Sequence, residues 1–143
     1  MASILIVDVF EPWRRTIRTI LEESLEWKVI GEALDGFDAV RKSRELQPDV
    51  ILLEVGLPRL NGIEAARQIR QVAPNSKIVF LSGHYGAELV REALKIGRAG
   101  YILKADAPCD LLRGLGAVIQ DKEFVSSSLV LSKRTKIEGV LGC

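Results

Sequence analysis

Four side chains suited to phosphoryl chemistry each follow a short apolar run in this 143-residue chain. Asp8 follows the first run, Glu54 the third, Ser82 the fourth and Lys104 the fifth. Carboxylates can hold Mg²⁺ together with water and phosphate oxygens, and a carboxylate can act as a nucleophile that forms an acyl phosphate. A lysine neutralises the transferred oxygens, and a hydroxyl can hydrogen-bond the new phosphoryl group. These residues predict a phosphoryl site if folding brings them together.

The apolar runs have the length and aliphatic content of strands covered on both faces. They lie at residues 4–7, 28–30, 50–53, 78–81 and 101–103. Helical periodicity separates them, so strand and helix alternate five times. We predict an α/β fold, a flavodoxin-like doubly wound (βα)5 three-layer sandwich with a parallel sheet of order 2-1-3-4-5. Sites in such sheets form at the carboxyl ends of strands.

Capping residues indicate where the helices begin and end. The first helix has an apolar face that runs from Trp13 to Leu25. Asp35 and Asn61 are expected to cap the second and third helices. Gly97 is expected to close the fourth helix, and Asp106 to open the fifth.

The helical pattern fades near residue 120. We therefore predict one domain over residues 1–121 and a tail or linker remnant over residues 122–143. Gly114 and Gly116 lie inside the fifth helix and should weaken it by about 1 kcal/mol each.

Composition excludes several classes of function. Apolar residues make up 48% of the chain and charged residues 27%, with a net charge of +1. This balance argues against a strongly basic nucleic-acid surface. No apolar run approaches the roughly 18 residues of a membrane span, and the start lacks a signal peptide. We expect a cytoplasmic protein with no membrane contact.

Four motifs together resemble the receiver domain of two-component response regulators. They read "ILIVD", "DVILLEVGLPRLNGIE", "IVFLSG" and "GYILKAD". The resemblance covers roughly residues 3 to 121 and is closest to receivers that precede a helix-turn-helix output domain. It implies a signalling module rather than an enzyme. It also implies phosphorylation by a sensor histidine kinase, and a signalling face made by the fourth helix, the fifth strand and the fifth helix.

The resemblance assigns roles to several positions of this chain. Asp8 matches the first member of the family's acidic pair. Ser82 matches the switch hydroxyl, Tyr101 the switch aromatic and Lys104 the phosphate-binding lysine. Gly56 would offer its backbone carbonyl to a metal.

Two positions depart from the family pattern. Val9 stands where the second acid, normally a direct metal ligand, belongs, and Glu54 occupies the phosphoacceptor aspartate position. Valine cannot coordinate a cation, and glutamate moves its carboxylate more than a bond length further out. Mg²⁺ demands near-ideal octahedral geometry, and a misplacement of about 1 Å can cost about 100-fold in rate. We expect Mg²⁺ binding by Asp8, Glu54 and Gly56 to be weak or lost, and phosphorylation to be severely impaired.

The same departures suggest what replaces phosphate. Glu54 carries a permanent negative charge and can imitate part of a phosphoryl group. We predict a Glu54–Lys104 ion pair in place of the phosphate–lysine contact.

Three other functions remain open. The chain could be a phosphorylation-competent receiver, or part of a transcription regulator whose output domain is absent from it. Without that domain we expect no specific DNA binding. A flavin or nucleotide enzyme on the same fold is disfavoured because no glycine-rich loop follows the first strand. A homodimer through the signalling face is also possible.

Overall fold

Six parallel strands form one sheet in the computed structural model, which describes residues 1–129. The strands are β1 (Ala2–Val7), β2 (Trp27–Ala33), β3 (Val50–Leu53), β4 (Lys77–Ser82), β5 (Arg98–Leu103) and β6 (Phe124–Val125). Their order is β2-β1-β3-β4-β5-β6. The predicted fold class and the order of the first five strands are confirmed.

The sixth strand was not predicted. It lies after residue 121, in the segment predicted as a tail, and it pairs with β5. Two residues are too few to show the alternation by which a strand is predicted. The rest of the predicted tail, residues 130–143, lies outside the described residues.

Five helices cover the two faces of the sheet. They are α1 (Glu11–Leu21), α2 (Gly36–Leu46), α3 (Gly62–Val72), α4 (Ala87–Gly97) and α5 (Ala107–Ile119), and a short 3-10 turn, Lys104–Asp106, precedes α5. Buried residues of α1 and α5 share one apolar cluster, and those of α2, α3 and α4 share another. The alternating side chains of the strands separate these clusters. The strands are therefore buried on both sides, as their apolar runs predict. Every helix within residues 1–129 falls short of the length and hydrophobicity that a membrane-spanning helix needs.

Two predicted caps are confirmed. The Asp35 carboxylate accepts a hydrogen bond from the backbone N–H of Asp38 at 2.8 Å. The Asn61 side chain accepts one from the N–H of Glu64 at 3.0 Å. Both satisfy backbone donors that a helix start leaves unpaired.

Two predicted boundary details are wrong, and a third is confirmed. Helix α1 ends at Leu21, and Leu25 lies outside it with 88% of its surface exposed. The left-handed residue after α4 is Arg98, whereas Gly97 is still helical. A side chain at Gly97 would meet the Phe80 ring at 2.8 Å, so packing accounts for this glycine. The prediction that Asp106 opens the fifth helix is confirmed, since Asp106 is the residue before Ala107–Ile119. Its carboxylate makes no capping bond to α5, because it binds serines further along the chain.

Gly62 sets how closely α3 approaches the end of β3. A Cβ atom there would lie 2.1 Å from the carbonyl oxygen of Glu54 and 2.8 Å from the Cα of Val55. The N–H of Gly62 also donates to the carbonyl oxygen of Val55 at 2.7 Å. The start of α3 therefore fixes the backbone that carries Glu54.

We expect Gly62→Ala to lower the free energy of unfolding by about 1–3 kcal/mol, because the added carbon overpacks a backbone contact. Gly116→Ala is the control, since no atom lies within 4 Å of a Cβ added there. It should stabilise α5 by about 0.5–1 kcal/mol. Urea unfolding measures both, and equal effects at the two glycines would contradict the close approach.

Candidate functional site

The sheet order gathers the four candidate side chains at one edge. Strands β1, β3, β4 and β5 are consecutive neighbours and run parallel, so their carboxyl ends meet. Asp8, Glu54, Ser82 and Lys104 lie at or directly after these ends. All four are connected by ion pairs or hydrogen bonds. The four side chains are therefore brought together, as predicted.

Glu54 is held on both carboxylate oxygens. Its Oε1 lies 2.8 Å from Nζ of Lys104, so the predicted ion pair is present. Its Oε2 accepts hydrogen bonds from the hydroxyl of Ser82 and, at 3.0 Å, from the N–H of Gly56. Burial by itself would raise the pKa of the Glu54 carboxyl, but these three donors together lower it. Glu54 is therefore a buried anion, with 6% of its surface exposed.

Asp8 is the second carboxylate on the same ammonium group. Its Oδ2 lies 2.7 Å from Nζ of Lys104, and its Oδ1 accepts a hydrogen bond from the N–H of Phe10 at 2.9 Å. Only 3% of the Asp8 surface is exposed. The ammonium of Lys104 thus bridges the two acids.

Lys104 keeps its charge in this setting. Burial would lower the pKa of its ammonium group, but the bonds to Asp8 and Glu54 raise it. The ammonium also lies 5.3 Å from the ring centroid of Trp13, within the range of a cation–π contact. The site therefore contains two negative charges and one positive charge.

The switch residues predicted by resemblance are linked to this group. Ser82 Oγ donates to Glu54 and accepts a hydrogen bond from the N–H of His84 at 3.1 Å. The hydroxyl of Tyr101 donates to the carbonyl oxygen of His84 at 2.6 Å. Burial raises the pKa of this phenol, and the Tyr101 ring is fully covered. Glu54, Ser82, the loop at His84 and Tyr101 form one continuous chain of contacts.

Arg14 and Glu32 form a pair next to Asp8 that the sequence does not predict. Arg14 donates to the backbone carbonyl oxygen of Asp8 at 2.8 Å, and its Nε contacts Glu32 at 2.7 Å. Arg14 is 8% exposed. No local sequence pattern marks Arg14 as a supporting residue, because its role depends on Glu32 in β2, a strand that begins 13 residues further along the chain. This pair anchors the backbone that carries Asp8.

The donor set does not fit a bound Mg²⁺. Val9 offers no oxygen and has 53% of its surface exposed. One carboxylate oxygen of Asp8 and one of Glu54 contact the Lys104 ammonium, and the other two accept hydrogen bonds from nearby donors. Within residues 1–129, no group of three histidine, cysteine or acidic side chains could hold a metal ion. No step involving a metal follows from this arrangement.

The chain is similar to a known protein family and to several of its members. A profile of the response regulator receiver domain matches residues 4–115. The response regulator UvrY of Escherichia coli (strain K12) is 34% identical over 129 residues, covering 90% of this chain and 59% of UvrY. The uncharacterized transcriptional regulatory protein YxjL of Bacillus subtilis (strain 168) is 38% identical over 123 residues, covering 84% of this chain and 56% of YxjL.

A solved structure agrees with these matches. The crystal structure of a LuxR-family two-component response regulator from Aurantimonas sp. SI85-9A1 superposes with a TM-score of 0.86 at 30% identity. The match covers 91% of this chain and 93% of that chain. The chain spans less than two thirds of the length of the two curated relatives.

The lowered pKa of Glu54 predicts a pH-dependent contribution to stability. A carboxyl whose folded pKa lies below its ordinary value of 4.5 stabilises the fold above that pH, and the stabilisation is lost as the pH falls through the folded value. Glu54→Gln should lower the free energy of unfolding at pH 7 by about 1–3 kcal/mol, because charged hydrogen bonds are lost. The difference from wild type should shrink below about pH 4.5.

Urea unfolding at pH 7 and in steps below pH 5 measures this difference. Glu23→Gln, at an exposed position after α1, is the matched control. A Glu54→Gln effect that persists unchanged at low pH would show that the charge of Glu54 does not stabilise the site.

Proposed function

The chain belongs to the response regulator receiver family. Within this family, we propose that it is a receiver that signals without depending on phosphorylation. In this proposal, the Glu54–Lys104 pair takes the place of the contact between a phosphoryl group and the lysine. The observation that carries it is the Lys104 ammonium, which contacts Glu54 at 2.8 Å and Asp8 at 2.7 Å. The fixed charges of the chain then set the state that a phosphoryl group would set.

The engagement of Glu54 supports this proposal. A carboxylate that attacks phosphorus must present a free oxygen in line with the leaving group. Both oxygens of Glu54 already accept bonds, from Lys104 on one side and from Ser82 and Gly56 on the other. Attack would require these buried bonds to break, and their loss adds to the barrier.

The valine at position 9, where the resemblance implies an acidic metal ligand, also supports a receiver that does not depend on phosphorylation. Phosphoryl transfer to an acid relies on a metal to neutralise the charge that develops on the phosphoryl oxygens. Val9 offers no oxygen ligand, and the single Lys104 ammonium already pairs with one oxygen of each of the two carboxylates. A cation would have to displace the ammonium to bind.

The switch residues support a preset state. In the proposed mechanism, Ser82 donates to Glu54 where it would otherwise donate to a phosphoryl oxygen. The loop at His84 follows Ser82, and Tyr101 stays buried beneath that loop with its hydroxyl on the His84 carbonyl. The arrangement is thus held by contacts within the chain.

The second candidate function is a phosphorylation-competent receiver that regulates transcription through a domain outside this chain. The names and lengths of the relatives favour it, since UvrY is a response regulator and YxjL a transcriptional regulatory protein, and both are longer than this chain. Its partner would be a sensor histidine kinase. The two candidates differ in whether Glu54 accepts phosphate.

We expect the wild-type chain to show no stoichiometric Mg²⁺-dependent labelling by acetyl phosphate. The double variant Val9→Asp/Glu54→Asp restores both family acids and should be labelled about 100-fold faster, because its carboxylates regain position. Intact-mass spectrometry over time measures the labelling.

The double variant Val9→Ala/Glu54→Gln is the matched control, since it changes the same positions without restoring either acid. Beryllofluoride with Mg²⁺ gives an independent readout through the fluorescence of Trp13, whose ring lies beside Lys104. Stoichiometric Mg²⁺-dependent labelling of the wild-type chain would overturn the proposal and favour the competent receiver.

A further inference from the structure

The chain that follows α5 turns back onto the domain. Residues 124–129, called the strap here, begin with β6 and end at Leu129, which is 8% exposed in the cluster that also contains Tyr101. The N–H of Ser126 donates to the carbonyl oxygen of Tyr101 at 2.9 Å. The strap therefore covers the edge of β5 that the predicted signalling face includes.

Two glycines make room for the first residue of the strap. A Cβ atom at Gly100 would lie 2.7 Å from the carbonyl oxygen of Phe124. One at Gly114 would lie 2.7 Å from the Phe124 ring. Arg113 covers the same ring at 5.6 Å from its centroid. Glycine is a poor helix former, but Gly114 leaves a notch in α5 that the Phe124 ring occupies.

Two aspartates hold the serines of the strap. Asp106 accepts hydrogen bonds from the hydroxyls of Ser126 and Ser128. Asp110, which is fully buried, accepts bonds from Ser127 through its N–H at 2.8 Å and its hydroxyl at 3.1 Å. A buried carboxylate is costly unless it is paired and hydrogen-bonded. The strap therefore supplies donors that Asp110 needs.

The same turn joins the strap to the candidate site. Lys104 and Asp106 are the first and last residues of one 3-10 turn. Lys104 reaches into the site, whereas the Asp106 carboxylate holds Ser126 and Ser128. Tyr101, the switch aromatic, is bonded through its hydroxyl to the His84 loop and through its carbonyl to Ser126. A change at Lys104 can reach the strap through one turn of backbone.

We propose that residues 124–129 form a docked strap whose docking is coupled to Lys104 through the Lys104–Asp106 turn. Docking rests on the contacts of the strap alone, whereas the coupling also rests on the proposed role of Lys104. A partner that binds the β5 edge must displace the strap or bind around it.

Hydrogen–deuterium exchange of the full chain, read at the amides of residues 124–129, tests the docking. Gly114→Ala should raise their exchange rate at least tenfold, because the added carbon fills the notch for Phe124. Gly116→Ala is the matched control in the same helix, and it should leave exchange in the strap unchanged. Exchange in β1 and β3 should stay at the wild-type level in both variants, which shows that the fold is intact.

Asp106→Ala provides a second test that leaves the notch intact. It removes the acceptor for Ser126 and Ser128, and we expect at least tenfold faster exchange at Ser128. If both Gly114→Ala and Asp106→Ala leave exchange in residues 124–129 unchanged, the docked strap is wrong.

Lys104→Met tests the coupling, with Lys95→Met on the exposed side of α4 as the control. We expect exchange in the strap to rise severalfold in Lys104→Met only. If it stays at the wild-type rate while Gly114→Ala raises it, the coupling is wrong and the docking stands. The labelling experiment with acetyl phosphate decides the proposed function separately, because it does not depend on the strap.

Discussion

The ammonium of Lys104 between two buried carboxylates is the interaction on which the site depends. A buried charge is stable only when it is paired and its remaining lone pairs or protons are bonded. Two acids share one base here, so the surplus negative charge must be met by other donors. The N–H groups of Phe10 and Gly56 and the hydroxyl of Ser82 supply them. The ends of four strands are tied together as a result.

This arrangement connects the two positions at which the resemblance implies a departure from the family pattern. With valine at position 9 and glutamate at position 54, the chain has fewer oxygen ligands for a cation and a longer acid that reaches Lys104. In the proposed function, the Lys104 ammonium offsets part of the charge of the two carboxylates. The proposed phosphate-independent receiver rests on this pairing. Removal of Lys104 would leave two buried carboxylates without the cation that they share, which is costly.

The Lys104–Asp106 turn lies between the candidate site and the strap. Lys104 and Asp106 lie two residues apart, yet one belongs to the site and the other to the clamp that holds the serines. Gly62 allows a close approach to the backbone of Glu54 and Val55, and Gly114 allows one to the Phe124 ring. In the proposal, the short Lys104–Asp106 turn connects the buried charges to the residues that follow α5 without a large rearrangement. The contact with Phe124 explains why glycine is present at position 114 of α5 despite its low helix propensity.

Local sequence patterns were enough to predict the alternation of strands and helices, the fold class and the gathering of Asp8, Glu54, Ser82 and Lys104. They were enough because buried parallel strands have continuous apolar runs, and because their carboxyl ends meet in a doubly wound sheet. The Glu54–Lys104 pair was predicted from the resemblance, which assigns the phosphoacceptor position to Glu54 and a phosphate-binding role to Lys104. The folded structure was needed to show that Asp8 shares the ammonium, that Arg14 and Glu32 support Asp8, and that β6 extends the sheet. These features depend on distances between segments far apart in the chain, and local periodicity and capping signals carry no information about them.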